Sequence, residues 1–191
     1  MQLHIKNMVC PRCKMAVEAI LKKLGLHPVS IALGVVRIEE KKLTSEQEAH
    51  LTHDLSSQGF LLLTDSNQIL IDQVKSFIIT HVHYPEAPGQ LKFSTLLAQH
   101  LHTDYSLLSK LFSREEGMTI EQFQIAQKIE KVKELLLYNE LSLSQIAMEM
   151  NYSSTAHLSA QFRKVTGQTP TQYKNEKHKD RKSLDSLGKI M

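Results

Sequence analysis

Several features that mark enzymes and membrane proteins are missing from this 191-residue sequence. No carboxylate pair, Ser/His/Asp set or glycine-rich phosphate loop stands out, so we expect no catalytic activity. No apolar run approaches the roughly 20 residues that a membrane span needs. The N-terminus has polar and charged residues early and lacks the apolar region of a signal peptide. We therefore expect a cytoplasmic protein with no membrane partner.

Neither sign of charge is in large excess, because the formal net charge is only +3. That value is modest for a protein that binds nucleic acid, and whole-chain charge decides little. The placement of the basic residues is more informative, since many lie in one region: Lys110, Arg114, Lys128, Lys131, Lys133, Arg163 and Lys164. The hydrophobic content of 41% is sufficient for the cores of one or two domains.

The region from Leu108 to Tyr173 contains the same pattern twice. A repeat at this period usually means that one supersecondary unit has been used twice. Seven residues of the first copy recur fifty positions later with the same or a similar residue: Leu108, Ser109, Phe112, Gly117, Thr119, Gln122 and Phe123 return as Leu158, Ser159, Phe162, Gly167, Thr169, Gln172 and Tyr173.

Each copy predicts a short helix, a tight turn and a second helix. In the first copy we expect an N-cap at Ser94, a turn at 102–104 and a left-handed C-cap at Gly117. The apolar stripe expected for its second helix is Leu107, Leu108, Leu111 and Phe112.

The second copy predicts the same three parts. It begins at Ser142 or Ser144, turns at 151–153 and ends at Gly167. Two short helices across such a turn are typical of a helix-turn-helix, whose second helix can lie in a DNA major groove. A plain pair of helices in a small bundle gives the same pattern, so the repeat alone does not choose between them.

A long helix is predicted between the two copies. The segment from Thr119 to Tyr138 has apolar residues at helical spacing and contains no glycine or proline. At about 1.5 Å per residue it is roughly 30 Å long. Successive major-groove faces on one side of B-DNA lie about 34 Å apart. A rigid spacer of this length favours the DNA-binding interpretation.

These motifs together resemble the AraC/XylS family of bacterial transcription regulators over roughly residues 66–174. The resemblance rests on the helix 119–136, the run 143–147, the run 162–164, Gly167, Thr169–Pro170 and Gln172–Tyr173. It implies two helix-turn-helix units joined by one long helix, with an additional helix before them that Asn67–Val82 can supply. The implied function is sequence-specific transcription regulation, with double-stranded DNA as partner and RNA polymerase as a candidate second partner.

The candidate DNA contacts lie on the exposed faces of the two second helices and on the spacer. They are Tyr105, Ser106, Ser109, Lys110 and Arg114 in the first unit, Thr155, Ala156, Ser159, Ala160, Arg163 and Lys164 in the second, and Lys128 between them. The arginines and most of the lysines are expected to contact phosphates. The family often has Arg near the position of Ala160, and an alanine can touch only a thymine methyl. We therefore expect the first unit to dominate base recognition.

The first 65 residues predict a different architecture, with the element order βαββαβ of a ferredoxin-like sandwich. Alternating apolar residues indicate the strands, and Thr44–Gln47 offers a capping box for the second helix. The fold class expected for the chain is thus an α+β domain followed by an all-α double helix-turn-helix domain of about seven helices. The expected domains are residues 1–65 and 66–175, with a basic, disordered tail over 176–191.

Both cysteines of the chain, Cys10 and Cys13, lie in a Met-x-Cys-x-x-Cys turn between the first strand and the first helix. This turn resembles that of the heavy-metal-associated domain of copper chaperones and metal-pumping ATPases, although Asn7 stands where that family usually has Gly. The resemblance implies two metal-binding thiolates. Two soft sulfurs suit Cu(I) or another thiophilic ion.

Two other interpretations of the cysteines stay open. A Cys-x-x-Cys at a helix start is also typical of a redox pair, and the fold can serve as an interaction module with idle thiols. At the level of the whole chain, the alternative to a metal-responsive regulator is a metallochaperone that docks on a partner through its helical half. The operator, the direction of regulation and the oligomeric state stay open as well.

Overall fold

The computed structural model describes residues 1–84 and 92–175 together with Leu184. Its N-terminal part is a four-stranded antiparallel sheet with the strand order β2-β3-β1-β4. The elements are β1 (Gln2–Lys6), α1 (Pro11–Lys23), β2 (Pro28–Ala32), β3 (Val35–Ile38), α2 (Ser45–Ser57) and β4 (Leu61–Leu63). The predicted order of strands and helices is the order of the structure.

The apolar alternation in the central strands explains the first core. Leu3 and Ile5 of β1 point to one face of the sheet, because successive side chains of a strand alternate. There they meet the apolar stripes of α1 and α2 and the inward residues of β3. The buried residues of this core are Leu3, Ile5, Met8, Val17, Ile20, Leu21, Leu26, Val36, Ile38, Leu51, Leu55 and Phe60.

From Ser66 onward the described residues form seven helices. They are α3 (Ser66–His83), α4 (Phe93–Leu101), α5 (Tyr105–Glu116), α6 (Ile120–Tyr138), α7 (Leu143–Glu149), α8 (Thr155–Thr166) and α9 (Pro170–Asn175). The predicted additional helix, both helix–turn–helix pairs and the long helix between them are present. Helices α4 and α5 form the first pair, α7 and α8 the second.

The ends of these helices follow from local sequence. Thr119 and Ser142 each form a capping box with the glutamine three residues later, so Ser142 rather than Ser144 starts α7. Gly117 and Gly167 end α5 and α8 with φ values of 70° and 83°. This left-handed conformation costs glycine little because it has no Cβ.

The repeat in the sequence is a repeat in packing. Phe112 meets Phe123 edge-on with ring centroids 5.6 Å apart. Phe162 meets Tyr173 in the same way, also at 5.6 Å. Each pair ties a second helix of a helix–turn–helix pair to the helix that follows it, so the matching aromatic residues define one packing unit used twice.

Two local predictions are wrong. Helix α4 begins at Phe93 with Lys92 as its N-cap, whereas Ser94 was expected there. The ring of Phe93 packs on Phe77 and His81, with centroids 5.8 and 5.4 Å away, so tertiary packing draws this residue into the helix. Leu107 is 56% exposed instead of buried, because it lies about 100° around α5 from the buried Leu108.

None of the described helices is both long and apolar enough to cross a membrane. The predicted disordered tail at 176–191 lies outside the described residues, apart from Leu184. The carbonyl oxygen of Leu184 accepts a hydrogen bond from Gln127 Nε2 at 2.9 Å.

Candidate nucleic-acid interface and cysteine site

Helix α5 is held by one buried face and leaves the opposite face open. Leu108, Leu111 and Phe112 are buried in the core of the helical region. The predicted contacts Ser106, Lys110 and Arg114 are exposed, whereas Tyr105 and Ser109 are half-buried. Burial raises the pKa of the Tyr105 phenol, with a smaller contribution from Glu121. The Arg114 guanidinium is 63% exposed and pairs with Glu115 at 2.8 Å.

Helix α8 presents a matching face. Leu158 and Phe162 are fully buried and fix its orientation. Five of the six predicted contacts are exposed and only one is half-buried. The exposed ones are Thr155, Ala156, Ala160, Arg163 and Lys164, and the half-buried one is Ser159. The open face of α8 therefore carries two cations and small side chains.

His157 is a residue of this surface that the sequence analysis did not single out. It is exposed in the first turn of α8, where its backbone N–H is bound by Ser154 Oγ at 3.1 Å. Its Nδ1 lies 3.0 Å from Ser153 Oγ, and its ring meets Tyr152 edge-on at 5.3 Å. The signal that could have found it is its position three residues after an N-cap serine.

Lys128 is a predicted phosphate contact whose amine is partly buried and already has partners within the protein. Its Nζ donates to the carbonyl oxygen of Met150 at 3.1 Å and lies 5.4 Å from the centroid of the Tyr152 ring. Burial lowers the pKa of this amine. The contacts tie α6 to the end of α7 and to the turn before α8, a role that competes with phosphate binding.

The other spacer lysines are paired with carboxylates. Lys133 is buried, with its Nζ 2.6 Å from Glu130 Oε1. Lys131 pairs with Glu134 at 3.1 Å and is mostly buried. The cluster of basic residues in the sequence is thus divided between the open faces of α5 and α8 and the interior of the helical region.

The two cysteines lie together at the start of α1. Cys10 is the N-cap of this helix and Pro11 its first residue, so the chain turns directly into helix after the first thiol. The backbone N–H of Cys13 donates to the carbonyl of Cys10 at 3.0 Å. The two sulfur atoms are 3.3 Å apart and both side chains are half-buried. The thiols are free.

The surroundings make the two thiols unequal. Burial alone would raise the pKa of Cys10, but hydrogen bonds from the Cys13 amide and thiol, together with the Arg12 amide and charge, lower it. Burial raises the pKa of Cys13, and the negative charge of Cys10 adds to this effect. Cys10 is therefore the more acidic thiol of the pair, and Cys13 the less acidic one.

Asn7 sets the conformation of the loop before the cysteines. Its φ is 74°, in the left-handed region that Asn adopts more readily than most other residues. Its Nδ2 also donates to the carbonyl of Gly59 at 2.8 Å, which joins the loop to the end of α2. Met8 is buried in the core beneath the sheet.

The donor set fits a two-coordinate soft ion better than a tetrahedral one. Metal–sulfur bonds of about 2.3 Å hold two sulfurs at most roughly 4.6 Å apart. The observed separation is 3.3 Å, so a linear two-thiolate ion would require the sulfurs to move apart by about 1.3 Å. Within 1–84 and 92–175 no group of three or more His, Cys, Asp or Glu side chains could hold an ion. A four-ligand zinc site is therefore not formed by these residues.

Comparison with known proteins identifies the helical region. Residues 97–176 match the family described as a helix-turn-helix domain. This part of the chain is therefore similar to helix-turn-helix domains. The match spans α4 to α9 and so includes both helix–turn–helix pairs and the long helix between them.

The similar proteins are regulators of transcription. A Staphylococcus aureus protein named an uncharacterized HTH-type transcriptional regulator is 27% identical over 146 residues, which are 74% of this chain and 18% of that protein. The probable transcriptional regulator LumQ of Photobacterium leiognathi is 29% identical over 107 residues, covering 56% of this chain and 40% of LumQ. The match thus spans less than half the length of either relative.

A solved structure is similar as well. The C-terminal domain of AraT, a response regulator from Geobacillus stearothermophilus, is 24% identical with a TM-score of 0.48, over 59% of this chain and 93% of that one. The named relatives are regulators of transcription, and the prediction that the chain has no catalytic function stays a prediction.

Proposed function

We propose that this protein is a sequence-specific, double-stranded-DNA-binding transcription regulator of the AraC/XylS type. The observation that carries the proposal is the placement of two open helix faces, on α5 and α8, on either side of one long helix. The 19 residues of α6 correspond to about 28 Å. A spacer of that length suits recognition helices in successive major grooves, which lie about 34 Å apart.

The side chains on the two faces support separate roles in phosphate contact and in base recognition. Arg114, Arg163 and Lys164 are exposed cations at the distal halves of their helices, where they can contact phosphates. Ser106 and Lys110 of α5 offer hydrogen bonds to base edges, whereas Ala156 and Ala160 of α8 offer only methyl groups. The first unit therefore carries most of the base recognition in our proposal.

Selection from random-sequence duplex DNA tests this function. We expect the full chain to enrich a motif with two elements about one helical turn apart, and to bind the enriched duplex at least 10³-fold more tightly than a scrambled duplex. A Lys110→Ala variant should lose its base preference in only one of the two elements of the DNA motif. Enrichment of no motif, with equal affinity for all duplexes, would contradict sequence-specific regulation.

We further propose that the N-terminal part is a ferredoxin-like domain of the heavy-metal-associated type, with Cys10 and Cys13 as its metal ligands. The βαββαβ order, the position of both thiols before α1 and their separation of 3.3 Å support this proposal. A bound Cu(I) would complete a two-thiolate site. The residues of the chain would supply the lowered pKa of Cys10 and the loop conformation set by Asn7.

A metal titration tests the second proposal independently of DNA. Reduced protein should bind one equivalent of Cu(I) in competition with a chelator, and the double variant Cys10→Ser/Cys13→Ser should bind none. Equal metal uptake by both proteins would exclude these ligands and leave the redox and interaction-module interpretations.

The alternative of a metal carrier that docks through its helical half gains no support from the comparisons, because the similar proteins are transcription regulators. Since the proposed partner is genomic DNA, we expect the protein to act in the cytoplasm. RNA polymerase is a candidate second partner, as in regulators of this type.

A further inference from the structure

The N-terminal sheet touches α3 at Gly34. Gly34 lies in the turn between β2 and β3. A Cβ atom added to it would lie 2.7 Å from Ser76 Oγ and 3.0 Å from Asp72 Oδ2. At these distances the added Cβ would force the side chain of Ser76 to move and would press on that of Asp72. The turn at Gly34 therefore lies against the side chains of one turn of α3.

The segment before the cysteines lies beside the same turn of α3. A small cavity is lined on one side by residues 6–9, which lead directly to Cys10, and on the other by α3. The α3 residues that line it are Asp72, Lys75, Ser76 and Ile79. The cysteine loop and the β2–β3 turn thus contact the same part of the helical region.

The next contact leads from α3 to the first recognition helix. Lys75 Nζ lies 2.5 Å from an Oε atom of Glu116, the last residue of α5, and both side chains are nearly buried, at 9% and 12% exposure. The same ammonium lies 5.8 Å from the centroid of the Phe123 ring. A buried ion pair is costly to break from one side, because the remaining charge is then unpaired.

Charges of alternating sign therefore run from the sheet to α5. Lys6 and Lys75 both interact with Asp72, and Glu116 adds a further negative charge to the row. A displacement of the sheet relative to α3 would change the electrostatic surroundings of Asp72 and, through Lys75, the anchor of α5.

We infer that the contact of Gly34 with Asp72 and Ser76, continued by the Lys75–Glu116 ion pair, is the device through which the N-terminal domain sets the position of the first recognition helix. Asp72, Lys75 and Glu116 are positioning residues for α5 and make no DNA contact themselves. This inference rests on the proposed DNA-binding function and names how that function is regulated.

A pair of glycine variants tests the contact separately from backbone strain. Gly34 and Gly59 have φ values of 79° and 81°, but nothing lies within 4 Å of a Cβ added at Gly59. Gly34→Ala and Gly59→Ala therefore impose similar strain, and only the first presses on α3. We expect Gly34→Ala to weaken binding to the selected duplex at least 5-fold, the lower end of typical allosteric couplings, and Gly59→Ala to change it less than 2-fold.

The location of the effect separates positioning from general instability. In hydroxyl-radical footprints, Gly34→Ala should reduce protection in the element that Lys110→Ala affects, and spare the element bound by α8. Adding Ser76→Ala removes the nearest atom and should restore most of the lost affinity. Circular dichroism and thermal unfolding establish that each variant is folded, and if the Gly34→Ala chain fails to fold, the Glu116→Gln and Glu115→Gln pair carries the test.

The ion pair has its own matched control. Glu116→Gln removes the buried charge, whereas Glu115→Gln changes an exposed neighbour that pairs with Arg114. We expect Glu116→Gln to weaken binding, Glu115→Gln to have less effect, and Gly34→Ala to add little to Glu116→Gln. Equal losses for Gly34→Ala and Gly59→Ala, or full additivity with Glu116→Gln, overturn the inference while DNA binding by the wild type stands. Absence of DNA binding by the wild type overturns the proposed function as well.

Discussion

At the scale of single residues, the ionisation of the buried Asp72 carboxyl affects the stability of the fold. Burial raises its pKa from 3.8 to about 7, against the lowering effect of Lys75 and Lys6 and with a further rise from Glu116. The pKa of Asp72 is higher in the folded state than in the unfolded state, so the folded state binds the proton more tightly. This contribution to the free energy of unfolding is fully present below about pH 4. That contribution is lost as the pH rises through about 7.

Asp72→Asn should therefore stabilise the protein in a pH-dependent way. A shift of about three pKa units at roughly 1.4 kcal/mol each sets an upper limit of about 4 kcal/mol. We expect the free energy of unfolding to rise by about 2–4 kcal/mol at pH 8 and by less at pH 5. Asp54→Asn is the contrast, because the hydrogen bond from Lys23 lowers the pKa of Asp54 and no such gain is expected. Urea unfolding at both pH values measures this, and a uniform effect across pH would contradict the argument.

The asymmetry between the recognition helices is a second residue-scale prediction. Lys110 and Ala160 are both exposed, but only the lysine can donate hydrogen bonds to a base edge or phosphate. Lys110→Ala should weaken binding to the selected duplex by about 1–3 kcal/mol, or roughly 5- to 150-fold. Ala160→Ser should change affinity much less. Equal or reversed losses in mobility-shift titrations would contradict a dominant first unit.

At the scale of elements, most helix ends could be predicted because their causes are local, whereas the start of α4 depends on the packing of Phe93. The capping boxes at Thr119 and Thr44 and the left-handed caps at Gly117 and Gly167 each depend on a few consecutive residues. The sequence repeat also predicts which helices pack together, because the matching aromatic residues of the two copies make matching contacts. The α5 and α8 faces could be predicted for the same reason.

What could not be predicted are the contacts between elements distant in sequence. Gly34 and Ser76, or Lys75 and Glu116, are about forty positions apart, and no local pattern relates them. The partners of Lys128 are also non-local, so its charge alone indicated phosphate binding. Leu107 was placed in the core because the apolar stripe of α5 was read one residue too wide.

Lys128 therefore gives an element-scale prediction about α6 and the second unit. Lys128→Met keeps the length of the side chain but removes the hydrogen bond to Met150. If Lys128 positions the turn before α8, the variant should weaken binding and leave the slope of log K against log salt unchanged. Arg163→Ala should instead reduce the magnitude of that slope by about 0.9, the value for one phosphate contact on B-DNA. An equal reduction by both variants would make Lys128 a phosphate contact.

At the scale of the whole molecule, the joint between the two cores is short. Strand β4 ends at Leu63 and α3 begins at Ser66. Asp65 caps α3 by accepting a hydrogen bond from the Gln68 amide at 2.9 Å. Only two residues connect β4 to α3, and one of them, Asp65, is held by its cap, so the sheet has little freedom to move relative to α3. A long flexible linker would instead dissipate any reorientation. The sheet, its cysteine loop and α3 therefore form a connected path toward α5.

The last prediction joins the two proposed sites through this path. If one equivalent of Cu(I) at Cys10 and Cys13 changes the affinity for the selected duplex, the expected factor is about 5 to 150, corresponding to roughly 1–3 kcal/mol. Linkage requires that the duplex change the Cu(I) affinity by the same factor, which chelator competition with and without DNA measures. The DNA affinity of Cys10→Ser/Cys13→Ser should not change when Cu(I) is added. Gly34→Ala should still bind Cu(I), but the ion should change its DNA affinity less than it does in the wild type. Metal binding by the wild type with no change in DNA affinity would make the N-terminal domain a carrier or a dimerisation unit and not a sensor.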